Sequence, residues 1–299
     1  MLSPAAAWAI ITVVEYRWTD RIAARKWRNY RFFLFGDTAV RILQLTDFHV
    51  FCEPNCEIKG IPTRECFQDV VDFIVKNETS FDHVIVTGDH THDEKPESYA
   101  AVQNILAPLG NRIWQVPGNH DERRVLRTVF SNIPGTNDEF INFAFGSDEW
   151  LCVGLDTHVP GEVAGCIESK QIAWLREKLQ ASTAKNVALF CHHPPVDVNS
   201  IWMDEIGLSG RELLHDVISG DPRIRLICCG HVHHDFQSSY ATAEIYATPS
   251  TGIQFDPNGN TPNFSSEAPG YRVIDLNADG FSTEVRRLPE IKYKPVVEG

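Results

Sequence analysis

A chain of 299 residues can bury one large core or two small ones, and a formal net charge of -13 excludes a nucleic-acid binder that works by neutralising phosphates. No nucleic-acid partner is expected, although a metal or a local cation can still bring a small anion to an acidic protein. Eight scattered cysteines, "CEPNC" (Cys52, Cys56) and "CC" (Cys228, Cys229) among them, lack the spacing of a zinc ribbon or a disulfide framework, and read as reduced thiols of a cytoplasmic protein.

Residues 1–40 read as an N-terminal extension, helical in pattern. The apolar run "LSPAAAWAIITVV" is too short to span a bilayer. No basic segment precedes it and no small-residue cleavage site follows, so a secretory signal is not expected. The next stretch, "EYRWTDRIAARKWRNYRFF", mixes Arg with Trp, Tyr and Phe. It suits an amphipathic helix on a membrane surface, or a helix packed on the body or on a second copy of the chain, as in a homodimer.

Residues 41–299 form the second unit. Strand-like apolar runs alternate with helical patterns: strands over 41–45, 83–87, 112–116, 149–156, 186–190 and 224–229, and helices over 64–77, 98–109, 169–182 and 210–219. Ser169 is placed to cap its helix, and Gly110 ends the second one. Strands dominate the remainder, in "EIYATPS", "YRVIDL" and "FSTEVRRL". This order predicts a layered α/β domain with two central sheets.

The ends of these strands carry the chemistry. The strand at 41–45 runs into "TDFH" (Asp47, His49), that at 83–87 into "GD" (Asp89), and that at 112–116 into "PGNHD" (Asn119, His120). The strand at 186–190 runs into "CHH" (His192), and that at 224–229 into "GHVH" (His231, His233). Open α/β sheets place their sites at the carboxyl ends of strands. Convergence there would pool two Asp, one Asn and several His, an oxygen–nitrogen donor set suited to first-row transition metals. The donors are too many for one ion and enough for two, and a carboxylate can bridge a pair. Gly88, Gly118 and Gly230 each precede a donor, where the backbone must turn sharply or pass close to its neighbours.

In this order, "DFH", "GD", "GNHD", "CHHPP" and "GHVH" resemble the calcineurin-like metallophosphoesterase superfamily. "PESYAAV", "VPGEVAG", "ATPSTGIQF" and "APGYRVIDLNADG" extend the likeness to its class III cyclic-nucleotide phosphodiesterases of the bacterial cyclic-AMP type. The resemblance covers about residues 41–288. It implies a four-layer αββα sandwich with a dinuclear centre of iron with manganese or zinc. Carried over by motif, Asp47, His49, Asp89 and His233 would hold one ion. Asp89, Asn119, His192 and His231 would hold the other, with Asp89 bridging. His120 would not be a ligand but would sit over the scissile phosphate.

Two dications would neutralise both a phosphodiester and its nucleophile and lower the pKa of bound water. A hydroxide bridging them would attack phosphorus in line, and His120 is the candidate acid for the leaving ribose oxygen, giving 5′-AMP from 3′,5′-cyclic AMP. The same core would serve a broader phosphoesterase acting on 2′,3′-cyclic nucleotides, phosphomonoesters or lipid-linked diphosphates. A metal-bound scaffold without turnover is the reading from another class, though a scaffold has no need of His120. The run "GDHTHD" departs from the family by adding His90 and His92, which either hydrogen-bond around the donors or face substrate. His158, His193 and His234 are assigned no metal role.

Overall fold

The computed structural model describes residues 39–110, 112–133 and 139–296. The expected helical extension and its membrane or dimer roles fall, except for the last two residues, outside the described residues. In chain order the elements are β1 (Val40–Leu45), α1 (Thr63–Asn77), β2 (His83–Val86), α2 (Pro96–Leu106), β3 (Ile113–Gln115), α3 (Arg123–Val129), β4 (Phe143–Gly146) and β5 (Trp150–Leu155). Next come β6 (Gly165–Cys166), α4 (Ser169–Ala181), β7 (Asn186–Cys191), α5 (Ile201–Asp204), β8 (Leu208–Ser209), α6 (Arg211–Gly220) and β9 (Ile224–Cys229). The chain closes with β10 (Phe236–Tyr240), β11 (Ala243–Ala247), β12 (Gln254–Asp256), β13 (Asn263–Ser265), β14 (Gly270–Asn277) and β15 (Gly280–Arg287).

Successive side chains of a strand face opposite sides, so a strand covered on both sides is apolar almost throughout. β1 shows the consequence. Leu43 and Leu45 pack with α1 residues Phe67, Val70, Val71 and Ile74, which share one helical face, while Val40 and Ile42 turn the other way. There they meet Ala188 and Phe190 of β7 and Leu226 and Cys228 of β9. The alternate residues of those strands, Val187, Leu189 and Ile227, pack outward against Ile172 and Leu175 of α4 and Leu214 and Ile218 of α6. The layers are therefore helix, sheet, sheet, helix, the expected αββα sandwich. Each fully buried Leu, Ile or Phe in them contributes about 1.5–3 kcal/mol of transfer free energy.

The five-stranded sheet runs β15-β14-β1-β2-β3 and the six-stranded sheet β10-β11-β9-β7-β5-β4. β1, β2 and β3 are parallel, as are β5, β7, β9 and β11. Each parallel set delivers its carboxyl ends, and the loops that follow, to a single edge.

Local chemistry moves some expected boundaries. α2 starts earlier than expected, at Pro96, whose missing N–H costs nothing in the first turn. It stops at Leu106, and a 3₁₀ turn over Ala107–Leu109 follows, because Pro108 cannot continue the α-helical hydrogen bonds. Ser169 does not cap α4: the Glu168 carbonyl accepts from Ile172 N–H (3.1 Å), so Ser169 is already inside the helix. The eight cysteines are all free thiols, five of them buried.

Candidate metal centre

The β1–β2 ladder does not stop where the strands do. Asp47 N–H donates to Gly88 carbonyl (3.0 Å), His49 N–H to Asp89 carbonyl (3.0 Å) and Val50 N–H to His90 carbonyl (3.3 Å). This continued pairing brings Asp47, His49 and Asp89 into one cluster in fixed register. Asp47, His49, Asp89, His231 and His233 all have positive φ, between 47° and 70°. Left-handed backbone at a non-glycine residue costs on the order of 1–3 kcal/mol, and it gathers where function over-determines the geometry. At Gly118 an added Cβ would collide with the Asp89 carboxylate, which explains that glycine.

The donors meet. Asp47 Oδ1 lies 3.2 Å from His233 Nε2, and His49 Nε2 lies 3.1 Å from His233 Nε2 and 3.4 Å from Asp89 Oδ2. Asp89 Oδ2 is also 3.5 Å from His192 Nε2, so it stands between two groups of donors. In the second group, Asn119 Oδ1 is 3.1 Å from His192 Nε2 and 3.1 Å from His231 Nδ1. The Asp47, His49, Asp89 and His233 donor atoms lie within 4.8 Å of one another, all on buried residues. Every residue that the sequence marked as a donor is thus brought to one place.

Outer hydrogen bonds fix the tautomers. His192 Nδ1 donates to Thr87 carbonyl (2.7 Å), His233 Nδ1 to Ile253 carbonyl (2.8 Å) and His231 Nε2 to Ile206 carbonyl (3.2 Å). In each neutral ring the opposite nitrogen is then a bare lone pair. These lone pairs face carboxylate and amide oxygens or each other, acceptor against acceptor, and a bound cation would satisfy them together. The donor set fits the metal ions that the motif order implies.

Electrostatics agree. Burial favours neutral Asp89, yet His192, then His49 and His120, hold its carboxyl well below the usual range. Burial likewise lowers His192, but the Asp89 carboxylate outweighs it and raises the imidazole to about 9. His231, buried and beside His192, falls to about 3. With the metals stripped out, a proton on His192 is the remaining counter-cation for Asp89. A group whose folded pKa is raised stabilises the fold below its unfolded pKa, and that stability is lost as pH climbs through the folded value. Metal-stripped protein should therefore lose thermal stability between pH 6.5 and about 9, whereas a metal held by His192 would keep the imidazole neutral and remove that loss. Parallel melting curves across this window check it; identical slopes would contradict it.

The remaining imidazoles separate by environment. His120 is half-buried, its amide donates to Asp89 Oδ1 (2.8 Å), and its ring lies edge-on to His49 with centroids 4.9 Å apart. His90 is fully buried between Asp121 Oδ2 (2.9 Å) and Gln115 Oε1 (2.8 Å), which removes it from substrate. His92 stays half-buried, stacked on His120 with centroids 4.7 Å apart, and burial with His120 nearby lowers it to about 4. His193 lies close to His192 and His231, but its nitrogens engage Thr157 Oγ1 (2.8 Å) and Val163 carbonyl (3.0 Å). His234 Nδ1 donates to Val232 carbonyl (2.7 Å).

Asp121 closes "GNHD" and is not among the donors that the sequence marks. Its buried carboxylate accepts from Gly118 N–H (2.9 Å), His90 N–H (3.1 Å) and Tyr99 O–H (3.1 Å). It ties the loop bearing Asn119 and His120 to the loop bearing Asp89. Its place beside the motif donors was the available signal.

Strand-end carboxylates and imidazoles in two adjoining groups, under an αββα sandwich, define a metallophosphoesterase site. The chain belongs to the calcineurin-like phosphoesterase family, whose profile matches residues 40–235. This family uses two metal ions, and the chain supplies a His/Asp site for them. It is 31% identical over 261 residues to the 3′,5′-cyclic adenosine monophosphate phosphodiesterase CpdA of Vibrio vulnificus, covering 87% of this chain and 94% of that one. It is 30% identical to CpdA of Escherichia coli K12, covering 88% and 94%, and 30% identical to a 3′,5′-cyclic-nucleotide phosphodiesterase of Nostoc, covering 86% and 96%. In fold it is similar to a dimetal phosphatase from Danio rerio (TM-score 0.58, 15% identity, 82% of this chain and 98% of that). A purple acid phosphatase from yellow lupin is also similar (TM-score 0.65, 11% identity, 88% and 54%).

Proposed function

We propose that this protein is a metal-dependent phosphodiesterase that hydrolyses 3′,5′-cyclic AMP to 5′-AMP. The observation that carries this reading is the meeting of all seven donors in one cluster, in a chain that matches the CpdA relatives over most of its length. Asp47, His49, Asp89 and His233 are proposed to hold one ion, and Asp89, Asn119, His192 and His231 the other. The mixed donor set favours iron with manganese or zinc. When bound, the two ions supply charge neutralisation for the phosphodiester and an activated water for in-line attack.

The chain's own residues do the rest. Thr87, Ile206 and Ile253 carbonyls hold three imidazoles in the tautomer that presents a lone pair inward. Asp121 fixes the turn that carries Asn119 and His120. His120 lies beside His49 and its hydrogen bonds run through its backbone, and it is proposed to give a proton to the departing ribose 3′-oxygen. A panel of cyclic AMP, 2′,3′-cyclic AMP, an aryl phosphodiester and an aryl phosphomonoester, each with added Mn²⁺, tests the substrate class. Cyclic AMP should give the highest kcat/KM. A higher value for the monoester would favour a broader phosphoesterase, and no turnover on any would favour a scaffold.

Among the described residues no helix is long and apolar enough to cross a membrane. A cytoplasmic location is proposed from the free buried thiols and the substrate. Every donor lies beyond residue 40, so the N-terminal segment is proposed to be dispensable for catalysis. Val40 pairs with Leu276, so a deletion that starts at Ala39 keeps β1 whole. A deletion starting at Ala39 should bind two metals and keep kcat within about threefold; a folded, metal-loaded but inactive deletion would refute this.

A further inference from the structure

Three of the four imidazoles at the centre lean on main-chain carbonyls through the nitrogen that faces away from it: His192 on Thr87, His231 on Ile206 and His233 on Ile253. His49 does not. Its outward nitrogen, Nδ1, lies 3.3 Å from Nδ1 of another side chain, His92.

His92 is itself held firmly. Its N–H donates to Val50 carbonyl (3.1 Å), and Thr91 bridges to Val50, so the β1–β2 pairing sets its position. Its ring contacts Phe51, at 4.6 Å between centroids, and stacks on His120, at 4.7 Å and 17°. The Thr91 hydroxyl donates to His120 carbonyl (3.1 Å), fixing the two loops together. The hydrogen bonds of His120 run through its backbone. What steadies its ring is the stack on His92 and the edge contact with His49.

We propose that His92 is a positioning residue: its Nδ1 accepts a hydrogen bond from His49 Nδ1–H, turning the His49 Nε2 lone pair toward the metal, and its ring aligns His120. This rests on the reading of His49 as a ligand. Outer partners of ligating imidazoles typically account for about 10–100-fold in metal affinity. The effect should fall on one ion alone, the one held by Asp47, His49 and His233, because the Asn119, His192 and His231 group has its own locks.

Metal binding, measured apart from turnover, tests this. Full-length protein is stripped, and Mn²⁺ is titrated by calorimetry with elemental analysis of the loaded product. His92→Phe keeps a ring for the His120 stack but offers no acceptor. It should weaken one of the two Mn²⁺ sites by about 10–100-fold and leave the other within about threefold. His92→Asn, whose amide oxygen can accept from His49, should recover most of that loss. His92→Ala adds no bulk and serves the same purpose should Phe disturb the loop. His49→Ala is the control for the underlying reading and should lose one ion. Wild-type affinity at both sites in His92→Phe, with one site lost in His49→Ala, would overturn the role of His92. Retention of both ions in His49→Ala would instead overturn the ligand set.

Discussion

Asp89→Ala should abolish turnover of cyclic AMP and leave neither metal tightly held. Asp89 Oδ2 lies 3.4 Å from His49 Nε2 in one donor group and 3.5 Å from His192 Nε2 in the other, so under the proposed assignment its loss would remove a ligand from both ions at once. Metal charge stabilisation is worth several kcal/mol at the transition state, and each 1.36 kcal/mol is a factor of ten in rate. Losing both ions therefore corresponds to about a thousandfold or more in kcat. A single-group ligand such as His231 should behave differently, with His231→Ala weakening mainly one ion. Elemental analysis showing two firmly bound metals in Asp89→Ala would sink the bridging role.

The second large effect belongs to His120, and its size should depend on the leaving group. A ribose 3′-oxygen departs poorly without a proton, whereas a nitrophenolate is stable unprotonated. General acid catalysis typically contributes about 10²–10⁴-fold. His120→Ala should lose roughly that factor in kcat on cyclic AMP and much less on a nitrophenyl phosphodiester, with both metals retained. If His120 only steadies its loop, through the amide it donates to Asp89, both substrates should suffer alike. Measuring both at matched metal content separates the two.

The donors were legible because parallel strands end at one edge, so residues such as Asp47, Asp89 and His192 declare themselves by following apolar runs. Their locks were not. Thr87, Ile206 and Ile253 act through carbonyls, which every residue carries, and only the folded chain shows which carbonyl meets which ring. The split between His90 and His92 was equally hidden. Two residues apart, one is buried against Asp121 and the other is half-buried and stacked on His120. β10 escaped notice because an edge strand reading "FQSSY" alternates between half-buried and exposed positions and has little apolar signal. β4, "FAFG", was too short to separate from a loop. The Ser169 expectation failed for a simpler reason: a serine one residue late cannot cap.

Titrating metal-stripped protein with Mn²⁺, and following cyclic-AMP hydrolysis against bound equivalents, addresses the dinuclear phosphodiesterase most directly. Turnover should be absent without metal, stay low at one equivalent and reach its plateau at two. Full activity without metal or at a single equivalent, or none on cyclic AMP once two are bound, would contradict it.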